Sequence, residues 1–144
     1  MAVLVKGKAL RAESDALVDG HVVADLGAPL PQREQRAAQR ELAEVAAEAR
    51  RAGVRCEVRP ADLASAQDCL AMAEHFAALF PVIDLLVNNA GLSFPEKLVD
   101  LEVGHWDTTL AVNLRAPALI SKVIARKMIE QGYGTIINIS SNAS

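Results

Sequence analysis

Short aliphatic runs alternate along the chain with longer segments in which apolar residues recur every three or four positions. The short runs predict strands from His21 to Asp25, Val54 to Arg59, Ile83 to Asn88 and Thr135 to Ser140. Three of them are apolar at nearly every position, as strands covered by helices on both faces must be. The stretch "VRCEVR" alternates instead and predicts an edge strand. Strands separated by helical patterns predict βαβ units around a parallel sheet.

The longer segments predict three helices. Pro31 to Ala52 is rich in Ala, Glu and Arg, with proline early and Gly53 just past its end. Ser65 to Phe80 carries Leu70, Ala73, Phe76 and Ala77 on one stripe, is capped near Ser65, and is stopped by Pro81. Val103 to Glu130 repeats Trp106, Leu110, Asn113, Pro117, Ile120 and Ile124 at helical spacing, which places Asn113 in an otherwise apolar stripe. No internal repeat, low-complexity stretch or linker divides residues 1–144, so a single domain is expected.

Composition narrows the function classes. With 51% hydrophobic residues in 144, the chain can bury one core. Fifteen basic against eighteen acidic residues, net −3, argue against a nucleic-acid-binding surface. Cys56 and Cys69 form no CxxC pair, and His21, His75 and His105 have no ligand spacing, so neither a metal site nor a disulfide framework is indicated. "MAVLV" is too short for a signal sequence or membrane span. A cytoplasmic protein with small-molecule partners is expected, with no nucleic-acid or membrane partner.

Polar residues gather where the predicted strands end, and ligands of open parallel sheets bind outside those carboxyl ends. Asp25 ends "VVAD", Asp62 stands in "PADL", two asparagines and a glycine follow a strand in "NNAG", and "ISSNAS" brings Ser140 and Ser141. An acid at Asp25 can accept from adenosine ribose hydroxyls and repel a 2′-phosphate, which favours NAD over NADP. Asp also commonly ends a strand with no such role. Pro117 has no N–H to offer the carbonyl of Asn113, so the helix should depart from regularity there and leave that carbonyl free.

These segments, in this order, resemble the short-chain dehydrogenases/reductases, Rossmann-fold enzymes that move hydride between NAD(P) and an alcohol or ketone. The resemblance rests on "VVADL", "PADL", "NNAG" at 88–91, "VNLRAP" at 112–117 and "GTIINISS" at 134–141, and covers roughly residues 21–144. It implies a three-layer α/β fold with a doubly wound parallel sheet. It further implies cofactor contacts at Asp25, Asp62, Leu63, Asn89, Ala90 and Gly91. Asn113 matches the family's asparagine, whose main-chain carbonyl holds a relay water. Ser141 matches the serine that hydrogen-bonds the substrate oxygen, and Ser140, pointing to the opposite strand face, is expected to be structural. The helix at 103–130 corresponds to a dimer-forming element, so self-association is expected.

The chain departs from the family pattern at two points. The family's TGxxxGxG phosphate turn is absent, since Gly7, Gly20 and Gly27 lack its spacing. The family's tyrosine and lysine would fall about 13 and 17 residues beyond the serine, past Ser144. Tyr133 is followed four positions later by Ile137, not lysine, and reads as a loop residue. Residues 2–5, "AVLV", could slide into the place of the family's first strand, with fifteen residues left before His21 for a crossover, and the sequence leaves open whether they do. The 144-residue chain is therefore expected to be nearly inactive. The alternative reading is a noncatalytic nucleotide-binding or protein-interaction remnant of the same fold.

Overall fold

The computed structural model describes residues 2–5, 21–24, 40, 43–44, 46–53 and 55–140. Among the described residues, five strands form one sheet: β1 (Ala2–Val5), β2 (His21–Ala24), β3 (Cys56–Val58), β4 (Leu85–Asn88) and β5 (Thr135–Asn138). Their order is β3-β2-β1-β4-β5, with every pairing parallel. The segment "AVLV" thus occupies the central slot, with Val5 aligned to Ala24 on one side and Asn88 on the other. Placing it there pairs the edges that β2 and β4 would otherwise leave open.

The strands begin and end inside the predicted spans, for local reasons. β4 starts at Leu85, not Ile83, because the Gln131 carboxamide takes both backbone groups of Ile83: Oε1 accepts from its N–H at 3.2 Å and Nε2 donates to its carbonyl at 2.6 Å. β3 keeps only three residues, pairing β2 alone as an edge.

Helical positions 43–44 and 46–51 (α1) match the C-terminal part of the first predicted helix. Gly53 follows at φ +80°, a conformation suited to glycine. Residues 31–39, the start of that prediction, lie outside the described residues. Arg50 Nη2 donates to the Cys56 carbonyl at 3.0 Å, tying the end of α1 to β3. Ala46, Ala49 and Cys56 form a small core with Val58.

α2 (Ala66–Leu79) begins as expected, with Ser65 Oγ accepting from the Asp68 N–H, and ends at Phe80 before Pro81. Its buried stripe is rotated from the predicted one: Cys69, Met72, Ala73 and Phe76 are buried, while Leu70 and Ala77 are only half-buried. The predicted third helix is continuous but has three parts: α3 (Val103–Leu110), a π-helical turn (Ala111–Arg115) and α4 (Ala116–Gln131). Val112, Ala116, Ile120, Ile124 and Met128 form its buried row, and they share one core with α2 and Leu86. Trp106, Leu110 and Asn113, predicted in the apolar stripe, are exposed instead. The π turn inserts an extra residue per turn, so the buried face of α4 does not continue along α3.

The two cores lie on opposite faces of the sheet. Cys56 shares its register position with Leu85, through His21 and Ala2, whereas Leu86, in the larger core, is one residue out of phase. The carboxyl ends of all five strands point to one edge, where the candidate site is built.

Candidate functional site

At the exit of β4, Asn88 is 4% exposed, and its side chain joins three elements. Nδ2 donates to Asn138 Oδ1 on β5 at 2.8 Å and to Ser121 Oγ on α4 at 3.1 Å. Asn88 and Asn138 are register partners and therefore project to the same face, which permits the first bond. Asn88 Oδ1 is buried with no partner among the described residues. Beside it, Asn88, Ala90, Leu63, Val112, Ala116, Pro117 and Ile120 line a small, mostly apolar crevice.

The next residues, Asn89, Ala90, Gly91 and Leu92, are half-buried. Leu92 is gripped by Asn113 at both backbone groups: its N–H donates to Asn113 Oδ1 at 2.9 Å, and its carbonyl accepts from Nδ2 at 2.8 Å. A carboxamide can satisfy a donor and an acceptor together, a task no carboxylate or hydroxyl does in this geometry. A Cβ on Gly91 would make only ordinary contact with Asn113 Oδ1, at 3.6 Å, so packing within the chain does not demand glycine here.

The departure from regularity expected at Pro117 takes the form of the π turn. The Ala116 N–H donates to the Ala111 carbonyl and not to that of Val112. Pro117 has no N–H for Asn113. The carbonyls of Val112 and Asn113 therefore both lose their ordinary helical donors.

The exit of β3 is a tight turn. Asp62 Oδ1 accepts from the Ala64 N–H at 2.8 Å, and the Asp62 carbonyl accepts from the Ser65 N–H at 3.0 Å. Asp68 Oδ2 accepts from the Asp62 N–H at 3.3 Å, which ties the turn to the first turn of α2. Leu63 is fully buried, and its carbonyl accepts from Cys69 Sγ at 3.5 Å. Burial pushes the Cys69 thiol up to about 11, with Arg115 opposing and Asp62 and Asp68 adding to the rise. From the π turn, Arg115 Nη2 donates to the Ala64 carbonyl.

The structure thus brings Asp62, Leu63, Asn89, Ala90, Gly91 and Asn113 to the same sheet edge. Asp25 and Ser141 lie outside the described residues. Ser140 is exposed just past β5, and Tyr133 is an exposed loop residue whose carbonyl accepts from Gln131 Nε2. Sequence reasoning missed the side-chain grip of Asn113 on Leu92, the Asn88–Ser121–Asn138 network and the reach of Arg115. Asn138 offered a signal, as a carboxamide inside an aliphatic strand; Arg115 offered none, since a charged helical residue reads as solvated.

The family profile described as short chain dehydrogenase matches residues 35–144, a span that holds every part of this geometry except β1 and β2. The chain belongs to the short chain dehydrogenase family. Among curated proteins it is similar to the D-threitol dehydrogenase of Mycolicibacterium smegmatis, 40% identical over 92 residues, which are 64% of this chain and 34% of that protein. Among solved structures it resembles a metagenomic short-chain oxidoreductase in complex with NADP. The TM-score is 0.64 at 34% identity, covering 85% of this chain and 51% of that one. An NAD+-bound xylitol dehydrogenase gives a TM-score of 0.70 at 25% identity, over 86% of this chain and 44% of that one. The chain therefore spans about a third of that curated relative's length and about half of each structural one's.

Proposed function

We propose that this chain is the nucleotide-binding portion of an NAD(P)-dependent oxidoreductase acting on an alcohol/carbonyl pair. One observation carries the reading: the π turn grips the exit of β4 through Asn113 while its arginine reaches the exit of β3. A fixed rim results at the sheet edge where dinucleotides bind in doubly wound folds.

The residues present fit the adenosine half of such a cofactor. The turn at Asp62–Leu63 is held by the Asp62 side chain, whose Oδ1 accepts from the Ala64 N–H, and Asn89, Ala90 and Gly91 are half-buried with no Cβ at 91. Asp25 directs the preference to NAD, because its carboxylate would accept from ribose hydroxyls and repel a 2′-phosphate. The fit is poorer for the pyrophosphate, for which the sequence supplies no TGxxxGxG turn. When bound, the nicotinamide supplies the hydride acceptor. The chain's own contribution would be the Asn113 carbonyl, which has lost its ordinary helical donor at Pro117, as the anchor of a relay water, and Ser141, as a donor to the substrate oxygen.

The same sequence features favour a second reading, a noncatalytic nucleotide-binding or interaction module. The chain's early glycines, Gly7, Gly20 and Gly27, lack the spacing of a phosphate-cradling turn, which leaves nucleotide contacts without a pyrophosphate cradle.

Calorimetric titration of the folded chain with NAD and NADP tests the proposal. NAD is expected to bind in roughly the micromolar to millimolar range, and more tightly than NADP. Asp25→Ala should reduce that preference. No binding of either nucleotide by a folded sample would overturn the nucleotide reading. Turnover of an alcohol by the chain alone would overturn the noncatalytic one.

A further inference from the structure

Arg115 is exposed on the π turn, yet its guanidinium spans 51 positions of sequence to donate to the Ala64 carbonyl. The bond is not needed to hold α4 against α2. Those helices share the apolar core, Lys127 Nζ donates to the Ala77 carbonyl at 2.8 Å, and Gln131 ties α4 to Ile83. Arg115 instead completes the hydrogen bonding of one turn. The carbonyls of Asp62, Leu63 and Ala64 accept from the Ser65 N–H, Cys69 Sγ and Arg115 respectively, and the Ala64 N–H is taken by Asp62 Oδ1.

β3 and β4 are separated in the sheet by β2 and β1. The π turn nevertheless holds the exits of both, Leu92 through Asn113 and Ala64 through Arg115. Asn113 and Arg115 thereby tie the two exits to one rigid turn at the sheet edge. Such rim residues act by preorganisation, keeping first contacts within small tolerances before the ligand arrives.

We infer that Arg115 is a positioning residue for the adenosine half of the cofactor, acting through the Asp62–Ser65 turn. The inference rests on the nucleotide reading above. It requires neither the guanidinium charge nor a contact between Arg115 and the ligand, only a donor that reaches the Ala64 carbonyl.

The test compares the unaltered chain with Arg115→Met, Arg115→Lys and Lys127→Met, the last removing a bond of the same type away from the turn. Adenosine is the probe, because an uncharged nucleoside does not report the lost guanidinium charge; binding is followed by NMR titration and the Ala64 and Ser65 amides by hydrogen exchange. Arg115→Met is expected to weaken adenosine about fivefold or more, in keeping with the loss of one hydrogen bond, and to speed exchange at both amides. Arg115→Lys should restore most of both, and Lys127→Met should change neither. Adenosine binding unaltered in Arg115→Met, or weakened equally in Lys127→Met, would overturn the inference and leave the nucleotide reading standing. Failure of the unaltered, folded chain to bind adenosine would overturn both.

Discussion

Cys69 shows how one side chain records its surroundings. It is fully buried under the turn after β3, and burial raises its thiol from an ordinary value of 9.0 to about 11. The unfolded thiol ionises first, so the unfolded state gains ionic stabilisation that the folded state resists. This contribution is intact below pH 9 and is lost as pH climbs from about 9 through about 11. Burial raises Cys56 in the same direction. Urea midpoints should therefore fall less steeply between about pH 8.5 and 10.5 in Cys69→Ala than in the parent. Equal slopes would show that the thiol ionises freely in the fold. Asn113 works at the same scale. Its place was legible because Pro117, four positions on, removes a donor; its grip on Leu92 was not, because that partner is 21 positions away.

Elements in this chain end where a local chemical signal says they should. Ser65 caps α2, Phe80 and Pro81 close it, and Gly132, at φ +80°, closes α4 in a left-handed conformation. The α2 signals were legible because capping needs only neighbours in sequence. The link from α4 to β5 adds a constraint that is not. A Cβ on Gly134 would stand 2.3 Å from Met128 Cγ and 2.7 Å from Met128 Cβ. Because one clash involves Cβ itself, rotating the methionine does not relieve it. Gly134→Ala should therefore cost about 1–3 kcal/mol, the range for overpacking. Adding Met128→Ala should make the Gly134→Ala step cheaper in chemical unfolding, and additive costs would refute the clash. The buried stripe of α2 was misplaced by about one residue for a related reason: Cys69 and Met72 were outweighed by Leu70 and Ala77, and only packing against α4 decides which side faces inward.

Across the whole molecule, one apolar surface has no counterpart among the described residues. Val103 is 73%, Trp106 50% and Leu114 67% exposed along α3 and the π turn, with Leu110 at the same helical spacing, and Leu98 and Val99 are exposed in the preceding turn. We propose that this surface is where the chain self-associates, since exposed apolar patches of this kind mark interfaces or aggregation sites. Light scattering coupled to size-exclusion chromatography should show a dimer or larger species, and Trp106→Glu with Leu110→Lys should return monomers. A monodisperse parent monomer would refute it. By itself, the sequence determined the alternation of strands and helices, the parallel sheet and the family, because aliphatic runs, caps and ordered strand-end motifs are written in short segments. It offered residues 2–5 as a segment able to close the edges of β2 and β4 but left open whether they do, and the sheet order decided that they take the central strand. The tertiary structure alone decided which face each helix buries, that Asn88, Ser121 and Asn138 meet, and that one π turn holds the exits of two separated strands. Those contacts join residues 21 to 51 positions apart, and such distances carry no local signal in the chain.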